Sequence, residues 1–405
     1  MSHTHVQHRT VRTLATAQVL NGVGIAGTVA AGSLLVSSIT GSETLAGLAQ
    51  TSGVLGAAAL ALPLAHLTAR GGRRLALSVG LFSGVIGSIF AIIGGANRNL
   101  FFMLLGTFLV GAASAAGYQA RFAAIDLATN ETRAKQLSFV VWGSTIGAVA
   151  GPNLMDPAGN LAEYFDLPRL VGPYMLSALT LFLAAIVIVI FLRPDPYLLA
   201  KKQAKIVHHK SSTKAALKHI GSNPHALFAI SAIAIGHVAM VSVMVMTPIH
   251  MAHVDVTLRV IGLVISVHVL GMYAFSPVVG ALSDRLGRMR VIQIGLATLL
   301  LSTIISGSAA ADDAITLGIG LFLLGLGWSG TLIAGSALLS ETVSLEMRAA
   351  SQGASDLVMN LSGAGGGALA GVIIGTLSYG WLCFFAAIPV VVLGISSIRI
   401  LHAEK

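Results

Sequence analysis

Cysteine is nearly missing: Cys383 is the single one in 405 residues, so no disulfide can staple the chain and no thiolate-rich metal cluster can form. Charge is scarce as well. Only 10% of the residues carry a formal charge, against roughly 25% in a soluble domain, while 55% are hydrophobic and the mean hydropathy is +0.86. So little polar surface does not suit a soluble globular enzyme; the chain belongs in a bilayer. Strand-type alternation is absent, which excludes a membrane β-barrel. No spacing resembles a nucleophile elbow, a phosphate-binding loop or a zinc site, so no enzymatic activity, cofactor or metal is expected. Acidic residues are outnumbered, 15 against 24 Lys and Arg, for a net charge of +9. Such an excess suits nucleic acid or a membrane topology signal, and position decides between them.

What the chain does have is long apolar runs. A transmembrane helix needs about 20 apolar residues, and twelve stretches qualify or nearly so. The first six are Thr13 to Ser38, Leu45 to Leu67, Leu75 to Gly95, Leu100 to Ile125, Leu137 to Met155 and Leu170 to Leu192. After a polar gap come His225 to Met251, Val260 to Leu282, Val291 to Ala310, Ala314 to Ser340, Ala349 to Thr376 and Trp381 to Leu401. Pro152 and Asn153 interrupt the fifth span.

Cytoplasmic loops hold most of the Lys and Arg of a membrane protein. With the N-terminus inside, only Arg98, Arg169 and Arg259 fall outside, leaving 21 of 24 on the inner face. That asymmetry implies a multi-pass protein of the cell membrane with both termini cytoplasmic, and it removes the case for nucleic acid. The polar stretch Met1 to Arg12 leads straight into a full-length span, so no cleavable signal is expected.

The two halves repeat at an offset of 215 residues. Arg70-Gly71-Gly72-Arg73 superposes on Arg285-Leu286-Gly287-Arg288, Asp126 and Arg133 on Glu341 and Arg348, and Gly151 on Gly366. Six helices repeated keep their orientation, so the halves are parallel and related by an axis along the membrane normal. The expected fold is an all-α integral membrane protein of twelve transmembrane helices. Residues 1–192 form one six-helix half and 225–405 the other, with 193–224 as a solvated cytoplasmic linker.

With these features the chain resembles the major facilitator superfamily over essentially its whole length. Gly280-Ala281-Leu282-Ser283-Asp284-Arg285-Leu286-Gly287-Arg288 is similar to the family's signature loop. In the first copy Ala65 and Ala69 replace the first glycine and the aspartate, while Arg70, Gly72 and Arg73 remain. Thr107 stands where proton-coupled members carry an arginine in the fourth helix. Gly147-Ala148-Val149-Ala150-Gly151-Pro152 is similar to an element of the drug/proton antiporter branch; read without the resemblance, it is small-residue helix packing ended by a bend.

The resemblance implies a gating latch built on Gly280, Asp284, Arg285, Gly287, Arg288, Arg73, Asp126 and Glu341. The repeat equates the pairs Arg73 with Asp126 and Arg288 with Glu341, and Asp284 suits the positive N-terminus of the fifth helix. The plain alternative is topological charge in wet loops. Inside the spans, Arg121 and Asp356 are the formally charged residues away from the helix ends, which makes them proton-coupling candidates. His237 and His268 join them, because an intramembrane histidine can titrate near neutral pH. His66 lies at a helix end, and the tail group His3, His5 and His8 with His208 and His209 has no fixed metal geometry. By the resemblance, helices 1, 4, 7 and 10 line a central cavity. Gln18, Asn21, Tyr118, Gln119, His237, Met240, Trp328 and Ser329 thereby become candidate substrate contacts, with Trp142 beside them.

Few charges and several Met residues suit an apolar or weakly polar ligand. The expected function is export of a small amphipathic or hydrophobic compound by alternating access, with proton antiport, by a monomer. The alternatives are uptake or facilitated passage of a neutral metabolite, and a membrane sensor that does not transport.

Overall fold

The computed structural model describes residues 3–42, 45–204, 213–252, 254 and 257–402. Among them every regular element is helical. In chain order the helices are α1 (His3–Thr40), α2 (Leu48–Ala96), α3 (Leu100–Ala123), α4 (Arg133–Asn153), α5 (Met155–Tyr164), α6 (Gly172–Phe191), α7 (Pro196–Gln203) and α8 (Thr213–Ser222). The second half continues with α9 (Pro224–Ala252), α10 (Leu258–Tyr273), α11 (Ser276–Leu286), α12 (Arg288–Ser308), α13 (Ala314–Thr342), α14 (Leu345–Thr376) and α15 (Tyr379–His402).

Ten helices among the described residues are long and apolar enough to cross a membrane, or eleven if the pair Arg133–Gly151 and Met155–Tyr164, bent by 57°, is one span. α2 accounts for the twelfth. Its 49 residues would run about 74 Å as one rod, more than twice the ~30 Å hydrocarbon core, and its backbone leaves the helical region at Gly72 (φ 85°, ψ 176°). It is therefore two passes joined without a free loop.

Three sequence expectations change. The second and third spans are continuous helix on either side of Gly72 rather than helices split by a loop. The eighth span breaks between Tyr273 and Ser276, where α11 begins with Pro277 in its first turn; proline supplies no amide for the preceding turn. The fifth extends from Arg133 and bends before Met155, next to Pro152. The linker carries structure as well, in α7 and α8.

The chain folds as two compact units. Unit 1 comprises Met1–Ala128, Phe139–Thr213 and Leu345–Leu357; unit 2 comprises Thr129–Ser138, Lys214–Ser344 and Val358–Lys405. Each thus takes in the first turns of one helix from the other half of the sequence. In unit 1, α1, α2, α3 and α6 pack around Ala31, Leu35, Val36, Ala49, Ala91, Met103, Val171 and Tyr174. Small residues there let backbones approach, which is how helices associate where lipid removes the hydrophobic drive. In unit 2, α13 packs against α9, α10 and α12. Helix ends are closed by side chains: Asn99 accepts from Phe102 N at 3.1 Å, and Asp313 from Thr316 N at 3.0 Å.

Candidate functional site

Gly72 and Gly287, 215 residues apart, both hold positive φ, 85° and 94°. Only glycine adopts that conformation without strain, so the repeated motif has one backbone shape in both loops.

In unit 2, Asp284 sits on the N-terminus of α4. Its Oδ1 accepts from Ala134 N at 3.0 Å and its Oδ2 from Lys135 N at 2.8 Å. Free amides and the helix dipole at that end favour a carboxylate by about 0.3–1 kcal/mol. Arg288 joins three partners: Nη1 donates to Asp284 Oδ1 at 2.5 Å, Nε to Glu341 Oε1 at 3.0 Å, and Nη2 to the Asn130 carbonyl at 2.5 Å. Arg133 approaches Glu341 at 3.6 Å. Arg285 is exposed, and Gly280 is buried against Ala134 and Ser138 of α4.

In unit 1, Arg73 Nε donates to Asp126 Oδ2 at 2.8 Å and Nη2 to Oδ1 at 3.2 Å, a bidentate pair fully removed from solvent. Nη2 also donates to Gln352 Oε1 at 2.5 Å. Where the first loop has Ala69 instead of aspartate, Asp195 supplies a carboxylate. It accepts from Arg74 N at 2.7 Å, just past Gly72, and caps α7 through Tyr197 N and Leu198 N. The Tyr197 ring lies 5.6 Å from the Arg73 guanidinium, and its hydroxyl donates to Leu345 O at 3.4 Å. Asp195, Tyr197 and Gln352 were not singled out from sequence. The signal was there for the first two, since Asp195-Pro196 is a helix-start pattern.

Deeper in unit 1, Arg121 Nη2 donates to Asp356 Oδ1 at 2.6 Å, with side chains 2% and 0% exposed. The guanidinium also lies 4.5 Å from the Phe122 ring centre and donates to Tyr118 O. Replacing a buried ion pair by apolar groups of similar volume is often neutral or stabilising, so stability alone does not account for this one. Nor does the repeat require it, because its counterparts at the same offset are Val141 and Ser336.

The remaining candidates scatter. Gln18 Nε2 donates to Ser144 Oγ at 2.9 Å. Asn21 is buried with Oδ1 unpaired among the described residues, and it lines with Gln18 and Gly117 a space of about one water. Gln119 faces α2 and donates to Ala61 O at 2.9 Å. Tyr118 is half-buried and Trp142 is 39% exposed. In unit 2, Met240 and Ser329 are buried, and Trp328 Nε1 donates to His237 Nδ1 at 3.1 Å. His268 is buried, donating from Nδ1 to Leu321 O at 2.8 Å. Thr107 is also buried and donates to Leu104 O at 3.0 Å. His66 is exposed, as are His5 and His8, while His208 and His209 lie outside the described residues. Among the described residues no three His, Cys, Asp or Glu gather as a metal site.

Among the described residues, ten or eleven membrane-length apolar helices, one of them long enough for two passes, a repeated arginine-glycine motif and a buried ion pair within the spans define a multi-pass membrane transporter. The profile of the Major Facilitator Superfamily matches residues 14–257 and 238–405, and the chain belongs to that family. It is 37% identical over 393 residues to a Bacillus subtilis protein described as an uncharacterized MFS-type transporter, YdeG, covering 95% of this chain and 91% of that one. A riboflavin transporter, RfnT, of Brucella anthropi is 26% identical over 360 residues, covering 89% and 87%. The solved proton:xylose symporter XylE has the same fold, with a TM-score of 0.75 at 11% identity over 98% of this chain and 96% of that one.

Proposed function

We propose that this transporter exports a small amphipathic or hydrophobic compound across the cell membrane by alternating access, in exchange for protons, as a monomer with both termini in the cytoplasm. The observation that carries the reading is the Arg121–Asp356 pair: a dry carboxylate bonded to a guanidinium at 2.6 Å, at positions whose repeat counterparts carry no charge. A proton taken up by Asp356 cancels its charge and frees Arg121, and loss of that proton restores the pair. Two states of comparable free energy are thereby linked to proton occupancy. Asp284 on α4 and the pairs Arg73–Asp126 and Arg288–Glu341 act as the breakable latch on the cytoplasmic side. Gln18, Asn21, Tyr118 and Trp142 of unit 1, and His237, Met240, Trp328 and Ser329 of unit 2, are the proposed substrate contacts. Their lack of formal charge supports a neutral or weakly polar ligand.

A second reading, uptake of a neutral heterocyclic metabolite, is favoured by the similarity to the protein named as a riboflavin transporter. Proteoliposomes with a pH gradient imposed in either direction decide between them. Antiport predicts accumulation of a lipophilic probe against its gradient only when the proton gradient opposes its movement. Accumulation of riboflavin in the direction of proton flow establishes the second reading, and accumulation indifferent to the gradient removes proton coupling from both.

A further inference from the structure

His237 of α9 and Trp328 of α13 are 9% and 2% exposed, and their bond fixes where a proton sits. An indole N–H can only donate. Because Trp328 Nε1 donates to Nδ1 of His237 at 3.1 Å, Nδ1 is the bare nitrogen and the ring proton is on Nε2. The Nε2 edge packs against α14 at Gly363, where a Cβ would come within 2.6 Å of Cδ2 and 2.8 Å of Nε2. The imidazole is thus fixed on one side by backbone and on the other by the indole. On the far side of the indole, Tyr273 of α10 meets Trp328 edge-on, with centroids 5.8 Å apart at 87°.

We propose that His237 and Trp328 form a proton-operated switch in unit 2. A proton arriving at Nδ1 turns the acceptor into a donor and sets two N–H groups against each other at 3.1 Å, so imidazolium and the present seat of the indole exclude one another. The imidazole is confined at Gly363, so the indole moves, and Tyr273 moves with it. The repeat does not dictate the pair: at the 215-residue offset the counterparts of His237 and Trp328 are Gly22 and Ala113. Charged and titratable groups on the helices packed against the pair include His268 of α10, which bonds Leu321 O at 2.8 Å. On α13, Glu341 is bonded to Arg288 at the arginine-rich end of α12. Asp356, seven residues before Gly363 on α14, is bonded to Arg121. On α15, Tyr379 bonds Thr247 at 2.8 Å and stacks on His250 near the other end of α9, with Cys383 beside it. Tyr273 of α10 lies against the indole itself.

The inference deepens the proton reading above and rests on it only for its consequence in transport, since the switch can be read without any substrate. Trp142→Phe with Trp381→Phe leaves Trp328 as the sole tryptophan. In nanodiscs, its emission should pass through one reversible step between pH 4 and 9, lost in His237→Gln and retained in Asp356→Asn. The ultraviolet resonance Raman band that reports indole N–H bonding needs no change at His237, and over the same step it should move toward a weaker hydrogen bond. Emission and Raman band flat across this range overturn the proposal, as does the same step persisting in a folded His237→Gln protein. Failure of Asp356→Asn to alter transport, with the Trp328 step intact, would sink the ion-pair mechanism and leave the switch standing.

Discussion

The two copies of the arginine-glycine loop have one backbone and different chemistry. In unit 2 a single residue, Asp284, both caps α4 and pairs with Arg288. In unit 1 the corresponding Ala69 has no carboxylate, and the work is divided: Asp195 accepts from Arg74 N, Gln352 accepts from Arg73, and Tyr197 lies beside the guanidinium. The close approaches are exchanged too. Gly280 of the second loop faces Ser138 on α4, whereas in the first copy Ala65 is on the loop side and the glycine, Gly353, is on α14. Duplication thus preserved the requirement for a small residue at each crossing and left free which side supplies it. The second loop concentrates its function in one side chain, and the first spreads it over three.

The largest effect should come where the repeat itself is broken, at the Arg121–Asp356 pair, whose counterparts Ser336 and Val141 carry no charge. Arg121→Ala removes the ion-pair partner of a buried carboxylate and should destabilise by about 3–5 kcal/mol in denaturant unfolding, whereas Arg121→Met with Asp356→Leu should recover most of that loss. A double variant no more stable than the single one contradicts the statement that stability alone does not account for the pair. Next comes Asp284→Ala, which removes the acceptor for two amides and a partner of Arg288. A cost of about 1–2 kcal/mol is expected, with increased labelling, from the cytoplasmic side, of cysteines introduced along the proposed substrate path. Unchanged labelling argues against the latch.

Smaller still is Asp195→Ala, since two other groups share its task. Adding Ala69→Asp in that background should restore part of the stability, as it rebuilds the arrangement of the second loop; no gain means the copies are not interchangeable. The smallest effect concerns packing. Gly353→Ala alone crowds Ala65 and should cost about 1–3 kcal/mol. With Ala65→Gly the crossing takes the second copy's arrangement of glycine on the loop side, and unfolding should return to within about 1 kcal/mol of the parent.

Much of this molecule was legible in its sequence because bilayer physics leaves few options. Apolar length marks the passes, and Lys and Arg placement implies their orientation. Breaks were less so: a helix continuing on both sides of Gly72 depends on one residue's φ, and the composition of that loop does not reveal it. The repeat drew attention to Arg73, Asp126, Arg288 and Glu341 through their offset alone. It could not point to Asp195, which lies beyond the repeat and replaces a residue the first copy has lost. Residue type also fails to tell which way a helix face turns. Gln119 has the chemistry of a ligand contact, yet it donates to the backbone of α2, whereas His237 and Trp328 meet across helices 91 residues apart.

The central claim is that proton occupancy of the Arg121–Asp356 pair drives transport, and Asp356→Asn tests it most directly. Two assays belong together in proteoliposomes: accumulation driven by an imposed pH gradient, and exchange of labelled for unlabelled substrate with no gradient. Loss of the driven accumulation with exchange retained is the predicted result, because exchange needs no net proton movement. Full driven accumulation in the folded Asp356→Asn protein would contradict the claim.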